Sequence, residues 1–232
     1  MYKSKVLVGL IILSFVLFSV FQFRGNEFIA SSFSSVIFPL IAVLYYVTIK
    51  PKTLLFGLFL ICYSLSELMF FIIDFIPYIY YYFIGNILSM LAYAFLLVEI
   101  CKFVCGIHVI KNFKIHIIVL IGLNIYIAYI LQEALNPHIK MTNEYLVEIT
   151  YNIVMLLLLS VSLLNYFHKD DKKSLFLFFG SLCIVFSEVI NVAYLYVSPK
   201  NLLNFISISL FVLAFYFLYE QSKLDSEVVE KL

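Results

Sequence analysis

Eight apolar stretches of about twenty residues, separated by short polar punctuation, leave this chain few folds to choose from. They run over 5–23, 31–49, 53–73, 78–100, 114–133, 146–166, 174–196 and 201–221. About twenty apolar residues in a helix match a bilayer core of ~30 Å. A backbone crossing lipid must satisfy its own hydrogen bonds, so each stretch predicts a transmembrane helix. Composition agrees: 64% of residues are hydrophobic, 12% are charged and the mean hydropathy is +1.07. A soluble domain is nearer 45–50% apolar and 25% charged. No polar segment is long enough for a soluble domain, and a net charge of +1 leaves no footprint for nucleic acid. The fold class is therefore all-α, a polytopic integral membrane protein.

Cation placement sets the orientation. With the N-terminus inside, the cytoplasmic segments hold Lys3, Lys5, Lys50, Lys52, Lys102, Lys111, Lys114, Lys169, Lys172, Lys173, Lys223 and Lys231. The opposite segments hold Arg24, Lys140 and Lys200. This positive-inside bias puts both termini in the cytoplasm. The first span is longer than a signal-peptide core, and no small-x-small site follows Phe21-Gln22-Phe23-Arg24, so it reads as a retained anchor. In a bacterium the host membrane would be the plasma (inner) membrane.

Two carboxylates lie deep in matching surroundings. Cys62-Tyr63-Ser64-Leu65-Ser66-Glu67 lies in the third span and Cys183-Ile184-Val185-Phe186-Ser187-Glu188 in the seventh. In both, a Ser-Glu pair follows a cysteine at the same interval. Span four carries Leu91-Ala92-Tyr93-Ala94-Phe95-Leu96 and span eight Leu213-Ala214-Phe215-Tyr216-Phe217-Leu218, at nearly the same offset. The expected architecture is two parallel four-helix repeats, 1–105 and 106–232. Scarce glycines, and prolines confined mostly to span ends, argue against the broken helices of many transporters.

A carboxylate in hydrocarbon costs about 2.5–3.5 kcal/mol, so it rarely sits there without a partner or a task. Ser64, Glu67, Phe71 and Asp74 share one α-helical stripe, as do Ser181, Glu188 and Asn191. At about 1.5 Å per residue, both glutamates lie about 20 Å from the cytoplasmic end, level with Asn86 of span four. Ser89 and Tyr93 follow Asn86 on its face. The expected site is one polar cavity holding Glu67, Glu188 and Asn86, with Asp74 and Asn191 at its mouth. Ser66, Ser187 and Tyr93 would help bind substrate. Two close carboxyls in a low-dielectric pocket do not both ionise easily, leaving an acid beside a base. That pair suits protonation of a substrate atom and activation of water.

Other residues offer less. Glu99, Glu133 and Glu148 fall at span ends, where headgroups and water reach them. Tyr78, Tyr80, Tyr81 and Tyr82 read as an interfacial belt. Cys101, Cys105 and His108 read as packing residues and a loop histidine, because structural zinc needs four ligands. No metal or cofactor is expected. There is no HExxH, no glycine-rich phosphate loop, no GxSxG and no histidine deep in a span.

The segments around Ser66-Glu67 and around Gly180-Ser181-Leu182-Cys183-Ile184-Val185-Phe186-Ser187-Glu188, with the closing Leu218-Tyr219-Glu220-Gln221, resemble motifs of the YhhN-like family of eight-span membrane proteins, which includes lysoplasmalogenases. The chain departs from the family pattern in carrying glutamates for its aspartates and Tyr93 for its fourth-span histidine. The resemblance implies cleavage of the vinyl ether bond of a lysophospholipid, with Glu67 and Glu188 as the acid pair. Two other functions fit the same glutamates: a proton-coupled small-solute transporter, and a non-catalytic protein that binds membrane lipid.

Overall fold

The computed structural model describes residues 2–50, 52–102, 111–138 and 142–229, almost all of them helical. The eight long helices are α1 (Tyr2–Phe23), α2 (Glu27–Thr48), α3 (Leu54–Leu68), α4 (Tyr78–Cys101), α5 (Lys114–Leu135), α6 (Thr142–Lys169), α7 (Lys172–Val192) and α8 (Asn201–Val229). A 3-10 helix, Met69–Phe75, extends α3 and a π-helix, Ala193–Val197, extends α7. With these extensions, eight helices among the described residues are long and apolar enough to cross a membrane. Pro51, Cys105, His108, Lys140 and Lys231 lie outside the described residues.

Most consecutive helices pack as neighbours: α1 with α2, α2 with α3, α3 with α4, α5 with α6, α6 with α7 and α7 with α8. Further contacts of α4 with α6, and of α8 with α1 and α2, close α2, α3, α4, α6, α7 and α8 into a ring. α1 covers α2, and α5 leans on α6. Burial runs opposite to a soluble bundle at the perimeter: Ile115, Ile118 and Tyr129 of α5 are 76%, 70% and 65% exposed. Such side chains have no stable place in water and are suited to lipid.

Close packing falls where side chains are small. A Cβ on Gly180 would meet Leu218 at 2.8 Å, so only glycine lets α7 approach α8 this closely. Small residues at the interface, not greasy ones, let membrane helices associate. At one end, Gln22 joins α1 to α8, its Nε2 donating to Asn201 Oδ1 (3.2 Å) and its Oε1 accepting from Asn204 Nδ2 (2.9 Å). The tight turn from α1 to α2 needs Gly25, whose φ of 78° is left-handed.

Mid-bundle, an aromatic layer fills the ring. Phe38 of α2, Tyr63 of α3 and Phe215 of α8 place their ring centroids 5.0–5.2 Å apart. Phe211 and Tyr93 extend the layer, their centroids 5.4 Å and 6.1 Å from Tyr63. Aromatic pairs at such spacing add about 0.5–1.5 kcal/mol each beyond burial. The layer divides the interior, and a polar cavity lies on one side of it.

Candidate functional site

The cavity measures about 550 Å³ and is open at the end where α3, α5 and α7 finish and α2, α4, α6 and α8 begin. That volume is in the range of small-molecule sites. Glu67 and Glu188, from α3 and α7, both line it, with Ser66, Asn86 and Asn191. Three other residues expected at the site lie elsewhere. Asp74 is exposed and outside the wall. The cause is helical wind: α geometry ends at Leu68, and a 3-10 helix advances about 120° per residue instead of 100°. Over the six residues from Met69 to Asp74 this turns the chain about 120° off the α stripe, and Met69 and Phe70 face the cavity instead.

Tyr93 is fully buried and is not on the wall. Its hydroxyl donates to Oε1 of Glu188 at 2.7 Å, so it holds a glutamate instead of a ligand. Ser187 is also fully buried. Its Oγ donates to the Ser207 carbonyl at 2.7 Å, and Ser207 Oγ returns a bond to the Ser187 carbonyl at 3.0 Å. Ser66 makes the corresponding link from α3 to α4, donating to the Gly85 carbonyl at 3.0 Å with its hydroxyl 2.7 Å from that of Ser89. Each serine before a glutamate thus bonds the next helix in the chain, fixing the rotation that turns the glutamate toward the cavity.

Glu188 is gripped twice. Tyr151 of α6 donates to the same Oε1 that Tyr93 reaches from α4. Its second oxygen, Oε2, accepts no hydrogen bond among the described residues. Glu67 has the Tyr63 hydroxyl beside it, one turn earlier on α3. Hydrogen bonds to a charged group are worth about 1.5–3 kcal/mol, so these phenols fix the carboxyl positions strongly.

The wall holds more acid than the two glutamates. Glu148 lines it and accepts from Tyr82 Oη at 2.5 Å, and Glu27 lies at the rim of α2. Glu148 is therefore a residue of the cavity wall, as are Tyr81 and Tyr82. Glu99, at the opposite end, is 8% exposed and pairs with Lys102 at 3.3 Å. No lysine, arginine or histidine of the described residues lines the cavity. Its polarity is that of carboxyls, phenols, hydroxyls and amides, a wall suited to a neutral or cationic group and hostile to a bare anion.

Three buried amides have unmet hydrogen-bonding capacity among the described residues, Asn165 of α6 through its Oδ1 being one. Asn152 lines the cavity and is 3% exposed, and its Nδ2 has no partner among the described residues. Gln132 of α5 is 7% exposed, and neither amide atom has a partner among the described residues. The sequence carried a signal for part of this: Glu148, Tyr151 and Asn152 recur at helical spacing on one face of an otherwise apolar span. No protein-family model matches the chain, and no curated protein or solved structure matches it either.

Proposed function

We propose that this chain is a divergent YhhN-like membrane protein that hydrolyses the vinyl ether bond of a lysophospholipid, with Glu67 and Glu188 as the working pair. The observation that carries the reading is that these two glutamates, from α3 and α7, line one cavity of about 550 Å³. The same reading takes 1–105 and 106–232 as parallel four-helix halves with both termini cytoplasmic, so the cavity opens to the outer side. The matched Ser66–Ser89 and Ser187–Ser207 links, each beside a glutamate, support that repeat.

The chemistry needs two carboxyl groups with opposite duties. One donates its proton to the outer carbon of the C=C–O unit, and the electron pair of the double bond forms the new C–H bond. The cation this leaves is shared between the inner carbon and the ether oxygen. Water attacks that carbon while the second carboxylate takes a water proton. The resulting hemiacetal breaks its C–O bond, its hydroxyl proton passing through the carboxyl pair to the departing glycerol oxygen. One vinyl ether and one water give one fatty aldehyde and one alcohol, and the pair regains its starting protonation. The absence of a cation from the described wall favours a headgroup whose exposed end is neutral or positive. The aromatic layer of Tyr63, Phe211 and Phe215 below the cavity suits a hydrolase, which needs one opening and not two.

Turnover in deuterated water tests the reading. The released aldehyde should carry one deuterium on the carbon next to its carbonyl. No aldehyde from folded, reconstituted protein would count against it.

A second reading has one observation in its favour. Both glutamate-bearing helices change wind just beyond the carboxylate, to 3-10 after Leu68 and to π after Val192. Such departures often mark hinges or functional sites. A proton-coupled small-solute transporter would use them to alternate access, and solute flux driven by a pH gradient in vesicles would reveal it.

A further inference from the structure

We propose that Asn152 is a specificity residue that binds an alcohol hydroxyl of the substrate beside the glutamate pair. The inference rests on the lysolipid reading above, and it assigns the group that recognises the free hydroxyl next to the ether. Asn152 lines the cavity and is 3% exposed, and its Nδ2, sealed just behind the wall, has no partner among the described residues; a turn of the amide about its terminal torsion brings that donor to a ligand. Buried polar groups are almost always paired, so an orphan donor at a binding wall marks where a ligand acceptor sits.

The neighbours narrow the class of acceptor. Glu148, four residues earlier on α6, occupies the same helical face and also lines the cavity. A group that accepts from Asn152 and donates to Glu148 is both acceptor and donor, which is the signature of a hydroxyl. An ether oxygen or a carbonyl has no proton to give Glu148. A phosphate oxygen would bring negative charge against Glu148, with no basic side chain of the described residues on the wall to offset it. The scissile ether oxygen is a poor candidate on chemical grounds as well. It must release electron density as the cation forms, and a donor bonded to it opposes that release. The neighbouring glycerol hydroxyl meets every requirement. Tyr151, next in the chain to Asn152, holds Glu188, so this hydroxyl would be anchored one residue from the clamp on the reacting carboxylate.

The test uses full-length protein in nanodiscs and two saturated 1-alkyl ether glycerophosphocholines that cannot be cleaved, one with the 2-hydroxyl and one with hydrogen in its place. Wild type should bind the hydroxylated lipid about tenfold more tightly. Asn152→Leu, close in size but without the donor, should bind both lipids as wild type binds the deoxy lipid. It should also melt no lower than wild type, because replacing an unpaired buried amide by an apolar group costs no hydrogen bond. Asn152→Ser, too short to reach the hydroxyl, should lose the preference too, which keeps the test decisive if the leucine variant fails to fold. Equal binding of the two lipids by wild type overturns the inference alone. So does a preference that survives in both variants. Binding of neither lipid by wild type overturns the lysolipid reading together with this inference.

Discussion

The hydroxyl of Tyr93 on α4 lies 2.7 Å from Oε1 of Glu188 on α7, and Tyr151 on α6 donates to that same oxygen. Three helices thus converge on one carboxylate oxygen, and the other oxygen accepts no hydrogen bond among the described residues. A site held this way is preorganised, because the clamping residues belong to packed helices and not to loops.

Removing one clamp should be costly but not fatal. Tyr93→Phe keeps the ring in the aromatic layer and deletes only the hydroxyl. Turnover should fall about tenfold to a hundredfold, in proportion to a lost bond of about 1.5–3 kcal/mol to a charged group. The Tyr93→Phe, Tyr151→Phe double variant should lose far more than either single one if both phenols serve one oxygen, and a double-mutant cycle on the rate measures that coupling.

The serine links should be stabilising and unequal. Ser187→Ala removes the bond from Ser187 Oγ to the Ser207 carbonyl in a fully buried seam but keeps the backbone carbonyl that accepts from Ser207 Oγ, and should lower stability by about 0.6–1.7 kcal/mol in a membrane-mimetic unfolding assay. Ser66→Ala removes the half-buried link to Gly85 and Ser89 and should cost less.

Gln132→Leu should raise stability. Both atoms of this buried amide lack a partner among the described residues, and an unsatisfied buried group costs about 1–3 kcal/mol. A higher melting temperature with unchanged lipid binding is the expected result.

Asp171 caps α7, accepting from the Ser174 backbone N–H at 2.7 Å. Partial burial pushes its carboxyl up, but the Ser174 backbone and hydroxyl bonds, with Lys169 and Lys173 nearby, outweigh this and hold it below the usual range. A carboxyl depressed in the folded state stabilises the fold above its unfolded value and loses that contribution as pH falls through its folded value. The melting difference between wild type and Asp171→Ala should therefore be constant near neutral pH and shrink below about pH 4.

Much of this was legible in the residues. Glu67 and Glu188 stood out because carboxylates are rare at that depth and because their surroundings match. The eight spans followed from length and hydropathy alone. What hid the rest was local geometry. The sequence predicts an α stripe that reaches Asp74, but α geometry ends at Leu68 and no glycine or proline between Leu68 and Asp74 announces the change of wind. Glu148 looks like a boundary residue when span six is taken from 146, whereas α6 begins at Thr142 and brings Glu148 to the cavity wall. Tyr93 and Ser187 look like ligand contacts in the sequence because helical phase shows which face a residue occupies, not whether a neighbouring group already fills it.

The most direct measurement is fatty aldehyde release from a 1-alkenyl lysophospholipid by purified protein in vesicles, comparing wild type with Glu67→Gln, Glu188→Gln and the double variant. The account predicts aldehyde from wild type and a loss of about a hundredfold or more in each variant, the scale of positioned acid–base catalysis. No aldehyde from folded wild type, or undiminished release from a folded double variant, would contradict it.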